Sequence, residues 1–366
     1  MTILHILNEL KPSGAEAMLR AAAPFWRSRG IEGEILCTGE SLGAYAEPLR
    51  AVGYRIHQIP FGGSISYLWK IYRFLKRHAF DGIHLHTERG SFWYAALAYL
   101  AGHRRVVRTF HNVFPFTGGL RIRRYVQRFA MRRVLKVRPV AISRSVRECE
   151  WDVFHNPAIL IPNWFDSNCY SPPTPEERAS ARATLGIRPT TMVLASVAGC
   201  WSYKNHPAIL HAIASIPRGL DIVYLHAGQE QEDHDERHLA NELDISDRAR
   251  FLGIVPDIAL ILRASDVFVM PSTYEGFGVA AAEAMGAGLP VILSNVAGLR
   301  DMHEVDDSIY WIQPTADDIA KAILHFYRMS DADRKAIGCK LSQQAHKLFG
   351  IETGAALYAD LYQGRA

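Results

Sequence analysis

Residues 266–294 read Asp266-Val-Phe-Val-Met-Pro-Ser-Thr-Tyr-Glu275-Gly276-Phe277-Gly278-Val-Ala-Ala-Ala-Glu283-Ala-Met-Gly-Ala-Gly288-Leu-Pro290-Val-Ile-Leu-Ser294. The apolar run before the first proline predicts a buried strand, and the glycine pair precedes a run of small residues that predicts a helix. A second apolar run follows the second proline. A strand, a helix and a strand in this order predict a parallel β-α-β unit of an α/β fold.

The same alternation of β-rich runs and helical spacing continues through the whole chain. Strands are predicted at 2–7, 31–37, 54–59, 83–86, 105–109, 139–142 and 158–161, and then at 191–198, 221–226, 249–252, 266–270, 290–293 and 309–312. Two such sets in 366 residues predict two Rossmann-like, doubly wound domains, since one core rarely serves a chain of this length. We expect the two domains to face a central cleft that holds the ligand.

The proline-rich stretch 171–175 marks the boundary between the two sets of strands. Thr174 has the features of a helix N-cap, with Pro175 at the first helical position and Glu177 completing a capping box. We assign 1–165 to an N-terminal domain, 166–190 to the linker and first helix, 191–345 to a C-terminal domain, and 346–366 to a C-terminal helix.

Charge is distributed unevenly between the two halves. Residues 1–165 carry 24 Lys+Arg and 11 Asp+Glu, a net of +13, whereas the remainder carries 17 and 26, a net of −9. This asymmetry favours an anionic ligand or surface facing the first half. The five scattered cysteines and the lack of a signal-peptide pattern predict a cytoplasmic protein, and we expect no nucleic-acid partner.

The chemistry of residues 275–283 favours binding of a sugar and a phosphate. Backbone N–H groups at a helix start bind anions, and Gly276 and Gly278 let a phosphate approach closely. Carboxylates such as Glu275 and Glu283 accept hydrogen bonds from vicinal hydroxyls of a ribose or hexose.

This segment resembles the E-x7-E signature of the retaining glycosyltransferases of family 4, which have the two-domain GT-B fold. The resemblance implies that Glu275 contacts the donor sugar and that Glu283 binds the nucleotide ribose. It also implies that the amides of Gly276, Phe277 and Gly278 meet the sugar and the phosphate.

The resemblance extends over most of the chain. Ser13 and Gly14 are similar to part of the family's glycine-rich loop at the donor phosphate, and His111 matches a histidine near the donor sugar. Lys204 matches the lysine that binds the diphosphate, whereas Gly199 stands where the family's arginine is expected. The final helix is similar to one that packs back toward the N-terminal domain.

The resemblance implies transfer of a sugar, with retention, from a UDP- or GDP-sugar to a sugar or lipid-linked acceptor in cell-surface polysaccharide or glycolipid biosynthesis. His111, Lys204 and Glu275 are the candidate catalytic residues, and no metal ion or other cofactor is expected. Asp233 and Asp235 imitate a metal-binding DxD motif but lie in an acidic run that is typical of a solvated loop.

Two alternative functions remain open at this point. Gly276, Gly278 and Ala281 match a dinucleotide fingerprint, which would suit an NAD-dependent oxidoreductase of two Rossmann domains. However, the acidic ribose ligand expected at the end of the next strand is missing, since Ser294 stands there. A non-catalytic protein that binds sugar nucleotides is the second alternative, and Gly199 is the feature that favours it.

Residues 121–138 hold eight basic residues and no acidic one, with Ile122, Tyr125, Val126 and Phe129 at helical spacing. One interpretation is a basic amphipathic helix that docks on an anionic membrane surface, together with an exposed aromatic loop at 114–116. The other is that the apolar residues face the domain core while the arginines remain solvated.

Overall fold

The structure is a computed structural model that describes residues 1–114 and 116–365. Contacts divide it into two compact units, one of Met1–Trp164 with Ile351–Ala366 and one of Phe165–Gly350. The domain boundaries drawn from the sequence stay predictions, and each unit is described by itself below.

The first unit has a seven-stranded parallel sheet with the strand order β3-β2-β1-β4-β5-β6-β7. Its strands are β1 (Thr2–Leu7), β2 (Glu32–Cys37), β3 (Arg55–Gln58), β4 (Gly82–Leu85), β5 (Val106–Phe110), β6 (Arg138–Ala141) and β7 (Ile159–Leu160). Its helices are α1 (Gly14–Arg27), α2 (Ala46–Ala51), α3 (Ile65–Arg77), α4 (Ser91–Ala101), α5 (Gly118–Arg133) and α6 (Arg144–Phe154).

The second unit has a six-stranded parallel sheet with the strand order β10-β9-β8-β11-β12-β13. Its strands are β8 (Met192–Val197), β9 (Ile222–Ala227), β10 (Ala249–Phe251), β11 (Val267–Met270), β12 (Val291–Ser294) and β13 (Tyr310–Ile312). Its helices are α7 (Pro175–Thr184), α8 (His206–Ser215), α9 (Asp235–Glu242), α10 (Ile258–Ala264), α11 (Val279–Gly286), α12 (Ala316–Arg328) and α13 (Asp331–Phe349). A last helix, α14 (Ile351–Gln363), belongs to the first unit.

Each predicted strand is present in the structure within one or two residues of its expected position. The central strands β4, β5, β9, β11 and β12 are mostly apolar and are buried along their whole length, because helices cover both faces of a parallel sheet. The predicted capping box is also confirmed. Thr174 accepts from the N–H of Glu177, and the Glu177 carboxylate accepts from the N–H of Thr174.

Helix α14 packs into the first unit through aromatic side chains. The indole Nε1 of Trp26 donates to the carbonyl of Ala355 at 2.8 Å, and Trp164 is buried against Gly354. A Cβ on Gly354 would lie 2.5 Å from the Trp164 ring, so a larger residue would displace the indole. Trp164 therefore requires a glycine on the helix that it contacts.

Helices α11 and α13 of the second unit approach closely through glycine. A Cβ on Gly338 of α13 would lie 1.8 Å from the carbonyl oxygen of Gly288, two residues after the end of α11. Gly338 is thus required by packing rather than by backbone conformation.

We predict that Gly338→Ala lowers the free energy of unfolding by about 1–3 kcal/mol, as overpacked cores typically do. Helix propensity alone would favour alanine by about 1 kcal/mol, so the sign of the change separates the two effects. Urea denaturation measures it. Gly219→Ala is the control, since a Cβ there has no neighbour within 4 Å. A Gly338→Ala protein as stable as wild type would contradict the close packing.

Candidate functional site

The strand order of the second unit reverses between β8 and β11. The chain continues from β8 to β9 and β10 on one side, and β11 to β13 lie on the other. In open α/β sheets, ligands bind at the carboxyl ends of the two strands where this reversal occurs. The loops that follow these two strands hold Lys204 and residues 275–278, which were selected from the sequence.

Backbone and side-chain hydrogen bonds tie the two loops together. The amide N–H of Thr273 donates to the carbonyl of Tyr203 at 2.8 Å. Asn205 has a left-handed backbone, with φ 58°, and its Nδ2 donates to the carbonyls of Pro271 at 3.2 Å and Pro314 at 2.9 Å. The position of Lys204 is therefore set by the residues on either side of it.

Lys204 and Glu275 form an ion pair that is mostly shielded from solvent. The Nζ of Lys204 lies 2.5 Å from Oε1 of Glu275, and Ser272 Oγ donates to the same oxygen at 2.8 Å. Ser272 in turn is held by Ser294, whose Oγ donates to its carbonyl at 2.5 Å. The structure thus brings together two residues predicted separately, and it adds Ser272 as the support of the carboxylate.

The turn of Gly276, Phe277 and Gly278 leads directly into α11. Gly278 precedes the helix with φ +91°, a conformation that favours glycine. The first N–H groups of a helix have no partner within it, and they carry a partial positive charge. Phe277 is buried, with its ring edge-on to Phe349 at 5.0 Å. Only its backbone is therefore suited to contact a ligand.

Glu283 lies on α11 and is buried in the second unit. Burial raises the pKa of its carboxyl from the ordinary 4.5 to about 8, and a hydrogen bond with Tyr170 opposes that shift. The side chain therefore holds its proton at neutral pH. A protonated carboxyl has one donor and further acceptor capacity, which suits a pair of hydroxyl groups.

The loop after β8 has no arginine at the position that the resemblance indicated. A Cβ on Gly199 would lie 2.7 Å from Nε1 of Trp201, so the indole occupies the space beside this glycine. Tyr203 and Tyr274 pack together with ring centroids 4.9 Å apart, and Lys204 Nζ lies 5.4 Å from the Tyr203 ring. The Tyr203 ring, supported by Tyr274, thus lies beside the lysine.

Ser13, Gly14 and His111 belong to the first unit. Gly14 is the first residue of α1, and Ser13 is its N-cap. The Ser13 hydroxyl accepts from the N–H of Ala15 at 3.3 Å and donates to the Glu16 carboxylate, so the start of the helix uses it. His111 directly follows β5, and its Nε2 lies 3.1 Å from Nδ1 of His86.

Two family models match consecutive parts of the chain. Glycosyltransferase Family 4 matches residues 12–168, and Glycosyl transferases group 1 matches residues 177–339. The chain belongs to glycosyltransferase family 4. Its two Rossmann-like parallel sheets are those of the GT-B type predicted from the sequence.

Several relatives of known name support this membership. EpsF of Bacillus subtilis (strain 168), named as a glycosyltransferase, is 26% identical over 80% of this chain and 79% of its own. The UDP-Gal:alpha-D-GlcNAc-diphosphoundecaprenol alpha-1,3-galactosyltransferase of Escherichia coli is 27% identical over 69% of this chain and 70% of its own. The fold is also that of Anabaena HepE, solved with UDP-glucose, with a TM-score of 0.85 at 20% identity and both chains covered completely.

Asp233 and Asp235, which imitate a metal-binding DxD motif, are both exposed to solvent. Within residues 1–114 and 116–365, the one group of His, Cys, Asp and Glu side chains close enough to share a metal ion is His5, His84 and His86. The carboxylates of the DxD-like run are not part of it. No helix among the described residues is long and apolar enough to cross a bilayer.

Helix α5 presents its apolar side to solvent. Ile122 is 67% exposed, Val126 57% and Phe129 50%, and Tyr125 is exposed as well. The interpretation that these residues face the core is wrong, because the helix turns Arg128 and Met131 inward instead. Arg128 is held there by two hydrogen bonds of 2.8 Å and a third of 3.0 Å to the buried Glu150 carboxylate.

The aromatic loop beside α5 is less exposed than its sequence indicated. Phe114 and Phe116 are half-buried, and their rings stack 5.5 Å apart. Pro115 lies outside the described residues. A docking surface of the kind predicted from the sequence would therefore lie on the exposed side of α5 rather than on this loop.

We predict that the raised pKa of Glu283 makes stability fall with pH. The unfolded carboxyl ionises near its ordinary 4.5 and the folded one near 8, so the unfolded state binds fewer protons between these values. The contribution of this carboxyl to the free energy of unfolding is complete below pH 4.5 and is lost as pH rises to 8. The loss is at most about 1.4 kcal/mol for each pH unit.

Melting temperatures of wild type and Glu283→Gln at pH 5, 7 and 9 provide the test. The variant keeps a neutral side chain, so the melting temperature of the variant minus that of wild type should increase with pH. Glu242→Gln, at an exposed position of α9, is the control. A difference between Glu283→Gln and wild type that stays constant with pH would show that Glu283 titrates normally.

Proposed function

We propose that this glycosyltransferase transfers a sugar from a UDP- or GDP-sugar to a lipid-linked acceptor, with retention at the anomeric carbon and without a metal ion. The observation that carries the proposal is the Lys204–Glu275 contact beside the start of α11, at the reversal of strand order. A cation, a carboxylate and free helix amides at one sheet edge suit a ligand that combines phosphate and sugar hydroxyls.

The donor is proposed from chemistry and from relatives together. Glu283 would hold the ribose hydroxyls, and Glu275 would accept hydrogen bonds from the transferred sugar. The galactosyltransferase of E. coli is named for UDP-Gal, and HepE was solved with UDP-glucose. These names support a nucleoside diphosphate sugar as the donor.

Catalysis would depend on stabilising the charge of the leaving diphosphate. An ammonium has three N–H donors, so Lys204 can bind a phosphate oxygen while it keeps its contact with Glu275. The amides of Gly276 and Phe277 would add fixed dipoles, and such preorganised groups are usually the largest catalytic contribution. Amides and a lysine together would take the place that a divalent ion has in metal-dependent enzymes.

Retention would follow from reaction on one face of the sugar. The bond from the anomeric carbon to the β-phosphate oxygen breaks, and the acceptor oxygen forms its bond on the same face. The departing phosphate oxygen takes the proton of the acceptor hydroxyl. The proposed His111 contact to the donor sugar would orient the ring during this step.

We propose a lipid-linked acceptor, and with it a position of the enzyme at the cytoplasmic face of a membrane, in polysaccharide or glycolipid biosynthesis. The E. coli relative is named for a diphosphoundecaprenol acceptor. The docking face of α5 combines exposed Ile122, Val126 and Phe129 with exposed Arg121, Arg123 and Arg133. Apolar residues beside cations suit the interface of an anionic leaflet.

We predict that Lys204→Ala lowers kcat for sugar transfer at least about tenfold, since a charge-assisted contact to phosphate is worth about 1.5–3 kcal/mol. Lys321→Ala, at an exposed position of α12, is the control. Glu283→Ala should weaken binding of free UDP or GDP, whereas Glu275→Ala should impair transfer and leave nucleotide binding nearly intact.

Thermal shift with free nucleotides and a transfer assay with a panel of UDP- and GDP-sugars measure these effects. Activity should persist in EDTA. Equal loss of nucleotide affinity in Glu275→Ala and Glu283→Ala would contradict their separate roles. Activity that disappears in EDTA and returns with Mn²⁺ would contradict metal independence.

We predict that changing Arg121, Arg123 and Arg133 together to Glu abolishes sedimentation of the protein with vesicles of anionic lipid. Each basic residue near such a surface contributes about 1 kcal/mol, so the loss should exceed about a hundredfold in affinity. Phe129→Ser should weaken binding without changing its salt dependence. Arg124 and Arg128 are left intact because they contact Glu88 and Glu150.

The control changes three exposed lysines of the second unit, Lys321, Lys335 and Lys340, to Glu. Its vesicle binding should equal that of wild type. Wild-type protein that stays in the supernatant at low salt would contradict membrane docking and favour a soluble acceptor.

A further inference from the structure

Three imidazole rings form a hydrogen-bonded chain across neighbouring strands of the first unit. His5 lies in β1, His86 follows β4 and His111 follows β5, and these strands are adjacent in the sheet. Nδ1 of His5 lies 3.1 Å from Nε2 of His86, and Nδ1 of His86 lies 3.1 Å from Nε2 of His111. The chain connects the core of the sheet to the candidate catalytic histidine.

All three rings are neutral near pH 7. Burial lowers the pKa of His5 to about 3 and that of His111 to about 4. Burial and the neighbouring histidines hold the pKa of His86 well below its usual range. A neutral imidazole has one N–H donor and one lone pair. The two hydrogen bonds can therefore both run from His5 toward His111 or both run the opposite way.

The environment of His5 decides between these two directions. Its Nε2 is buried and has no hydrogen-bond partner among the described residues, and its ring stacks on Trp26 at 5.6 Å with an interplanar angle of 8°. If the bonds ran inward from His111, this nitrogen would carry a buried N–H without an acceptor, a rare and costly arrangement. A bare lone pair there costs less, so the His5 proton lies on Nδ1.

With that direction fixed, each proton along the chain is assigned. Nδ1–H of His5 donates to Nε2 of His86, and Nδ1–H of His86 donates to Nε2 of His111. The proton of His111 then lies on its own Nδ1, the nitrogen that the chain does not use. Its lone pair on Nε2 is already used by His86, so His111 can only donate to a ligand, through Nδ1–H.

We propose that His5 and His86 are positioning residues that hold His111 in the Nδ1–H tautomer, so that it donates a hydrogen bond to an oxygen of the donor sugar. The identity of that ligand rests on the proposed function. The tautomer itself rests only on the hydrogen bonds of the first unit.

His84 has a different role although it lies beside the chain. Its Nδ1 is hydrogen-bonded to the hydroxyl of Tyr362 at 2.6 Å, and its Nε2 to Oγ1 of Thr109 at 2.7 Å. Thr109 also bonds to the hydroxyl of Tyr358 at 2.6 Å. Both nitrogens thus connect the sheet to α14. Because both nitrogens of His84 are already hydrogen-bonded, neither is free to bind a metal ion shared with His5 and His86. The hydrogen-bonded chain is therefore favoured over a metal site.

Long-range proton–nitrogen NMR spectra of protein labelled with ¹⁵N-histidine test the tautomer directly. We expect Nδ1–H on His5, His86 and His111 at neutral pH, with each signal assigned through the variant that lacks it. His86→Phe keeps an aromatic ring but removes the donor to His111, which should then shift toward Nε2–H. An Nε2–H tautomer of His111 in wild type, or no change in His86→Phe, would overturn the proposal.

Kinetics provide a second test, because a purely structural role of His5 predicts a different result. His5→Phe preserves a ring that can stack on Trp26 and should lower kcat about tenfold or more, with the affinity for free nucleotide changed less than about twofold. Tyr54→Phe is the packing control, because its ring lies edge-on to His5 at 6.0 Å and its hydroxyl donates to the carbonyl of Leu19 rather than to a histidine.

Tyr54→Phe should keep a kcat close to that of wild type. Equal losses in His5→Phe and Tyr54→Phe would reduce His5 to a packing residue and overturn the proposal. If wild type transfers no sugar at all, the proposed function fails, while the NMR spectra still decide the tautomer.

Discussion

The pairing of β8 with β11 is the contact on which the candidate site depends. At the amino end of this pair, the buried Asp266 carboxylate accepts from the N–H of Val193 at 2.7 Å and from Arg182 at 2.6 Å. At the carboxyl end, Lys204 reaches Glu275 across the same two strands. Because parallel strands end at one edge, fixing their register also fixes which loop residues meet. The chemistry of the site is thus a consequence of how the sheet is assembled.

The two units hold their candidate residues by different physical means. In the second unit, Lys204 and Glu275 neutralise each other, and Ser272 supports the carboxylate. In the first unit, burial keeps the imidazoles uncharged, and hydrogen bonds connect them to one another. A charged pair suits a phosphate, whose charge changes during transfer, whereas a neutral donor suits a sugar hydroxyl.

Helix α5 shows how a buried ion pair exposes apolar residues. Arg128 bonds to Glu150 in the interior, and Arg108 and Arg128 both lie beside Glu88. Breaking such a buried pair leaves an uncompensated charge, so the side of the helix that carries Arg128 is held inward. Residues on the opposite side must then face solvent, whatever their hydropathy. This is why the apolar stripe of α5 is exposed.

The sequence by itself determined the thirteen strands of the described residues and the capped start of α7, because these depend on local hydrophobic period and on turn chemistry. The GT-B fold type came from the resemblance of its motifs to family 4. The sequence also selected Glu275 and Lys204, which carry recognisable motifs. Ser272 was missed, and its one local signal is its place three residues before Glu275. Only the tertiary structure decided the partners of Lys204, the burial of Glu283 and the exposed face of α5. Each of these depends on contacts between segments that are distant in the chain, and hydrophobic spacing carries no record of such contacts.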